Sequence, residues 1–206
     1  MDTPSRPYHS PRRHQEAQRT RQDILRTARD LFLAHGYDRV TMADIARETG
    51  IAVKTVYASV GTKSGVLQGV LAAEVAESRS VETLAQLPLA PDLESAMRLV
   101  ARGTRDDHER FAPTVGLLAS AKDSDDGAKQ VWDSMVVQYR GALHTTAEHL
   151  VGRGLVPPHL DVDATADRLW FCFGLAAWRT LILDCGWDYD TAEDWLARQG
   201  VTMLAD

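Results

Sequence analysis

The amino-acid sequence predicts an all-α protein of about nine helices, with a short N-terminal domain followed by a longer C-terminal one. Three observations lead there. Apolar residues recur at helical spacing along most of the chain, and no convincing alternating strand interrupts them. The breaks fall at helix-stopping positions, namely Gly36, Leu87–Pro91, Pro113, Gly127 and the pair Pro157–Pro158. Charge also changes sign along the chain. Residues 1–65 carry 11 Lys+Arg against 7 Asp+Glu and residues 66–206 carry 12 against 22, so a balance of +4 precedes one of −10 within the net charge of −6.

The bulk numbers set outer bounds. A chain of 206 residues, 44% hydrophobic and 25% charged, has enough apolar side chains for a real core and suits neither a disordered chain nor a fibre. Cys172 and Cys185 are too few for a disulfide framework and suit a reducing cytoplasm. The longest apolar run, Leu169–Trp178, is too short to span a membrane, and no apolar segment near Met1 reads as a signal peptide, so a cytoplasmic chain without membrane contact is expected. A basic third on an acidic body suggests a polyanion partner at one end only, although a solvated basic face would carry the same charge.

Residues 1–17 read as a flexible basic arm, with Pro4, Pro7 and Pro11 among Arg6, Arg12 and Arg13. Such an arm is either disordered or laid in a minor groove. From Glu16 the residues Ile24, Leu25, Ala28, Leu31 and Phe32 mark the first helix, and Gly36 stops it. The stretch Thr41–Val60 is the most informative. Thr41 is a plausible N-cap with Asp44 three residues on, and Ile45 and Ala46 face inward on a short helix. Gly50 stands where a tight corner needs positive φ, and Val53, Val56 and Val60 give the inner side of a second short helix. Small Ala46 permits close approach, and Val56 fills the angle. This is the spacing of a helix-turn-helix, whose second helix offers its outer face to a major groove. That face carries Lys54, Thr55, Tyr57 and Ala58, and Lys63 opens the next helix, where a cation and a helix N-terminus together suit a phosphate.

The run from Arg21 to Leu67 resembles the DNA-binding domain of the TetR/AcrR family of transcriptional regulators. The first helix ending in Ala34-His35-Gly36-Tyr37, then Val40-Thr41, Ile45-Ala46, Gly50-Ile51, Thr55-Val56-Tyr57 and Lys63 carry the resemblance. It implies a three-helix DNA-binding domain over residues 18–78, with its helix-turn-helix at 41–60, and an effector-binding and dimerisation domain over 79–206. It also implies phosphate contacts from Thr41, Tyr57 and Lys63, and base or backbone contacts from Lys54 and Thr55. Ser59 stands where the family often has a His or Tyr that touches phosphate, Val60 where it often has an aromatic, and Gly61 where it often has a Pro.

For the C-terminal part the resemblance implies architecture. The last two long helices, taken as Ala164–Cys185 and Thr191–Leu204, would pair with those of a second copy through Leu169, Phe173, Ala177, Leu181 and Trp195. An effector pocket would draw on Arg105, His108, Phe111, Leu117, Trp132, Met135, Tyr139, Trp170 and Trp178. Each aromatic among these also reads as ordinary core. The expected partners are a palindromic operator duplex, a second copy of the chain and a small hydrophobic or amphipathic effector. No cofactor is expected.

Catalysis is not expected, because its usual signatures are missing. Gly61-Thr62-Lys63-Ser64 has the end of a P-loop without its Gly-rich run, and Asp123–Gly127 has its Gly one place too early for a calcium loop. His144 and His149 are five apart rather than four, so no metal pair forms on one helix face. A helical adaptor retaining a vestigial motif is the third class; it would show no DNA binding at any salt concentration.

Overall fold

A computed structural model describes residues 11–205. Its helices are α1 (Pro11–His35), α2 (Met42–Thr49), α3 (Val53–Val60), α4 (Lys63–Val75), α5 (Ser80–Gln86), α6 (Leu93–Ala121), α7 (Asp126–Gly152), α8 (Val162–Phe173), α9 (Leu175–Arg179) and α10 (Tyr189–Ala205). No strand occurs among the described residues, so the all-α expectation holds. Arg6 and the rest of the arm before Pro11 lie outside the described residues. From Pro11 the chain is already helical, five residues before the periodicity becomes readable, because that first stretch is polar on every side.

The chain divides into two compact units. The first comprises the described residues up to Ala73 together with Gly116–Val131. The second comprises Glu74–Val115 and everything from Trp132 onward. The first unit is built on α1, whose Ile24, Ala28 and Phe32 are fully buried, as are Ile45 of α2 and Val56 of α3. Val66 and Leu67 of α4 complete this set. Val53 departs from expectation: it is 41% exposed, because it begins α3 beyond the stretch where Val56 and Val60 are covered.

In the second unit Met97, Leu150, Leu169, Phe173, Trp178 and Leu196 form one buried cluster. Asp92 caps α6, its Oδ1 accepting from the Ser95 N–H at 2.8 Å. Pro113, read from the sequence as a boundary, lies inside the 29-residue α6. The ring removes one backbone bond, a cost of about 3 kcal/mol in an isolated helix, yet the helix continues on tertiary contacts. The next residue, Thr114, is fully buried and donates to Glu74 Oε1 at 2.7 Å.

The helix expected over Ala164–Cys185 is broken at Gly174, whose backbone is extended (ψ 173°) and whose N–H returns to the Trp170 carbonyl at 2.9 Å. A Cβ there would collide with that carbonyl. After the break come α9 and a π-helical turn at Thr180–Asp184. Leu169, Phe173 and Leu181, expected on a face shared with a second copy, belong instead to the unit's own core. The apolar stripe was placed correctly on its helix, but it is covered by the same chain. Ala177 and Trp195 are half-buried, and Phe171 (75%) and Leu183 (70%) are exposed large apolar groups of this segment.

Candidate nucleic-acid interface

The α2–α3 corner is fixed locally. Thr41 is extended (φ −106°, ψ 162°), its hydroxyl accepts from the Asp44 N–H at 3.2 Å, and Asp44 Oδ2 accepts from the Thr41 N–H at 3.0 Å. Both halves of a capping box are therefore made. Arg47 adds a 2.6 Å contact to Asp44 Oδ1. Hydrogen bonds from Thr41, then one from Arg47, hold the Asp44 carboxyl down at about 2. Gly50 ends α2 in the left-handed region at φ 69°, with its N–H directed to Ala46 and Arg47 carbonyls.

α3 leaves this corner with Val56 and Val60 inward. Its other side presents Val53, Lys54, Thr55, Tyr57 and Ala58 to solvent, Tyr57 being 51% exposed. A helix eight residues long with one face free of packing can enter a major groove. This free face carries two long polar side chains, Lys54 and Tyr57, and two short ones, Thr55 and Ala58. Ser59 is half-buried, and its carbonyl accepts a bond from the Arg21 guanidinium, which ties α1 to the end of α3.

Lys63 opens α4 after the turn at Gly61 (φ 74°), with the Thr62 hydroxyl accepting from the Gly65 N–H at 3.2 Å. Its ammonium sits 4.2 Å from the centre of the Tyr37 ring and donates to the Asp38 carbonyl at 3.4 Å. Burial lowers the Lys63 pKa, while the Asp38 and Asp125 charges oppose that shift. Tyr37 packs on Phe32 with ring centres 5.3 Å apart, and burial, then the charge of Asp125, pushes its hydroxyl well above the usual phenol range. Thr41, Lys54, Thr55, Tyr57, Ser59 and Lys63 thus all lie on or beside the α2–α3–α4 corner. Arg21, Asp38 and Asp125 join them without having been singled out. Asp125 is 62 residues beyond Lys63 and had no local signal to betray it.

The second unit gathers part of the expected pocket. His108 stacks on Trp178 (centres 5.5 Å apart, planes 25° apart) and lies 6.1 Å from Tyr139, which meets Trp170 edge-on at 5.5 Å. Tyr139 donates its hydroxyl to the Phe173 carbonyl. His108 Nε2 and Trp178 Nε1 are buried without a hydrogen-bond partner, and burial depresses the His108 pKa to about 4. Arg105 is occupied, binding Asp190 at 2.6 Å and Glu193 at 2.8 Å. Phe111 and Trp132 are half-buried on α6 and α7, and Met135 is buried. Leu117 does not belong with these residues; it is buried in the first unit, because α6 passes from one unit to the other after Val115.

Residues 24–70, the segment that forms the corner, match the model of the family described as bacterial regulatory proteins, tetR family. Over that segment the chain is similar to the tetR family. A curated relative, the HTH-type transcriptional regulator AlkX of Mycobacterium tuberculosis, is 37% identical over 49 residues. That match covers 24% of this chain and 23% of the relative, so the chain spans under a quarter of that relative's length. Over the whole chain the likeness is one of fold. A putative TetR-family regulator from Mesorhizobium loti superposes with a TM-score of 0.73 at 17% identity, covering 91% of this chain and 96% of its own. The regulator FadR from Bacillus subtilis, solved in complex with stearoyl-CoA, does so at 0.69 and 16% identity, covering 88% and 98%. No described helix is long and apolar enough to cross a membrane.

Proposed function

We propose that the protein is a homodimeric, sequence-specific DNA-binding transcriptional regulator, a repressor released from its operator by a small apolar or amphipathic effector. The observation that carries the DNA-binding part is the α2–α3 corner, closed by the Thr41–Asp44 capping box and Gly50, with the Lys54, Thr55 and Tyr57 face of α3 free of packing. Two copies related by a two-fold axis would place two such helices in successive major grooves of a palindromic site. Bound over a promoter, the dimer excludes polymerase.

The effector reading rests on the aromatic cluster of the second unit. The unpartnered N–H of Trp178 and the neutral ring of His108 can serve a ligand's polar end, and Tyr139 and Trp170 its apolar part. The stearoyl-CoA held by the FadR neighbour is a molecule of this amphipathic class. An effector acts only through differential affinity, and it must favour the released conformation by several kcal/mol to empty the operator.

Footprinting on the DNA flanking the protein's own gene, with and without candidate acyl effectors, tests the whole reading. Within it, Tyr57→Phe and Lys63→Ala should weaken binding about equally on every sequence, whereas Lys54→Ala and Thr55→Ala should change which base pairs are preferred. Affinity should fall on the order of 10³-fold between 50 and 200 mM salt if six or more phosphates are contacted. A chain that protects no DNA at any salt concentration is the adaptor of the third class.

A further inference from the structure

Two sequence features without a role so far meet in the first unit: the turn Gly61–Ser64 before α4, and the acidic run Asp123–Gly127 between α6 and α7. The start of α7 lies directly against the start of α4. A Cβ on Gly127 would collide with the Ser64 side chain, so only glycine permits this approach. Beside the contact, Ser124 Oγ donates to Asp38 Oδ1 at 3.0 Å. Asp125 has two tasks. Its Oδ1 accepts from the Ala128 N–H at 2.7 Å and so caps α7, while its charge bears on the Tyr37 hydroxyl and the Lys63 ammonium. Lys63 is therefore held on the protein side by the Tyr37 ring and the Asp38 carbonyl, with the charges of Asp38 and Asp125 felt at its ammonium.

We propose that the α6–α7 turn is an acidic tether on the DNA-binding head, in which Asp125, with Asp38, competes with a DNA phosphate for the Lys63 ammonium. This rests on the DNA-binding reading above, in which Lys63 is a phosphate contact. The tether makes Asp125 and Asp38 positioning residues for that contact, supplied in the first case from a segment far downstream in sequence.

Asp125→Asn tests this cleanly, because asparagine keeps a cap acceptor for Ala128 while removing the charge. The full-length chain is titrated with a labelled duplex taken from the DNA flanking its own gene, and with a random-sequence duplex of equal length, over a range of salt concentrations. The tether predicts that D125N binds both duplexes about two- to five-fold more tightly, with a salt slope steeper by up to about one. In a Lys63→Met background the same substitution should gain nothing. An equal gain in that background would reveal a general charge effect and overturn the proposal, as would unchanged or weaker binding by D125N on the wild-type background. Circular dichroism and the thermal midpoint of each variant establish that the fold is retained. A wild-type chain that binds neither duplex removes the DNA-binding reading itself, and the tether with it.

Discussion

Inside the second unit, His108 binds its proton only near pH 4, because the ring has exchanged water for the Trp178 and Tyr139 rings. The unfolded chain binds that proton near pH 6.5. Between these values the unfolded chain holds more protons, so acidification from about pH 6.5 towards 4 draws the protein out of its native state. Thermal unfolding followed by circular dichroism at pH 7 and pH 5 should show a fall in midpoint that His108→Phe reduces. A variant that falls as far as the wild type would place the acid sensitivity elsewhere. Asp44 acts in the opposite sense and lower: its carboxyl, held at about 2, contributes stability that disappears only as pH drops from about 4 through 2.

At the scale of the element, the helical glycines separate by what surrounds them. Gly200 on α10 lets Met97 Sδ and the Phe173 ring approach so closely that a Cβ would meet both at 2.9 Å. Gly200→Ala should therefore destabilise the chain by about 1–3 kcal/mol in a denaturant titration. Gly141, inside α7, has nothing within 4 Å of where its Cβ would stand. Gly141→Ala should instead stabilise by about 0.5–1 kcal/mol, and the same sign for both would refute the packing argument. Elements were legible in the sequence where their cause is local. Thr41, Asp44, Gly50 and Val56 sit at spacings that only one corner satisfies, and the structure makes each contact that spacing implies. Pro113 misled because a propensity of a few kcal/mol is outweighed over 29 residues of packed helix. Val53 misled because periodicity gives the face of a helix but not how far its neighbour extends along it. Leu169, Phe173 and Leu181 misled similarly, since an apolar stripe does not say which chain covers it.

For the whole molecule, the correction to that stripe moves the expected pairing surface. If two copies associate through the C-terminal helices, the groups to be covered are Phe171 and Leu183, which water now reaches, rather than residues already in the core. Phe171→Glu should leave the thermal midpoint of the dilute chain almost unaltered while shifting the mass measured by light scattering from dimer towards monomer. A species that remains dimeric at low micromolar concentration would place the seam elsewhere. Charge follows the same division: residues 1–65 carry a balance of +4, and Asp125 of the acidic remainder joins α3 in the first unit.

The first unit is assembled from two stretches of chain separated by 42 residues, Glu74–Val115. During synthesis, then, helices α1–α4 leave the ribosome before the piece that completes their unit. Until Gly116–Val131 follows, Ser64 has no Gly127 against it and Lys63 has no Asp125 near it. If the proposed function holds, a nascent chain at that stage would carry its reading head without the acidic turn while the rest of the polypeptide is still being made.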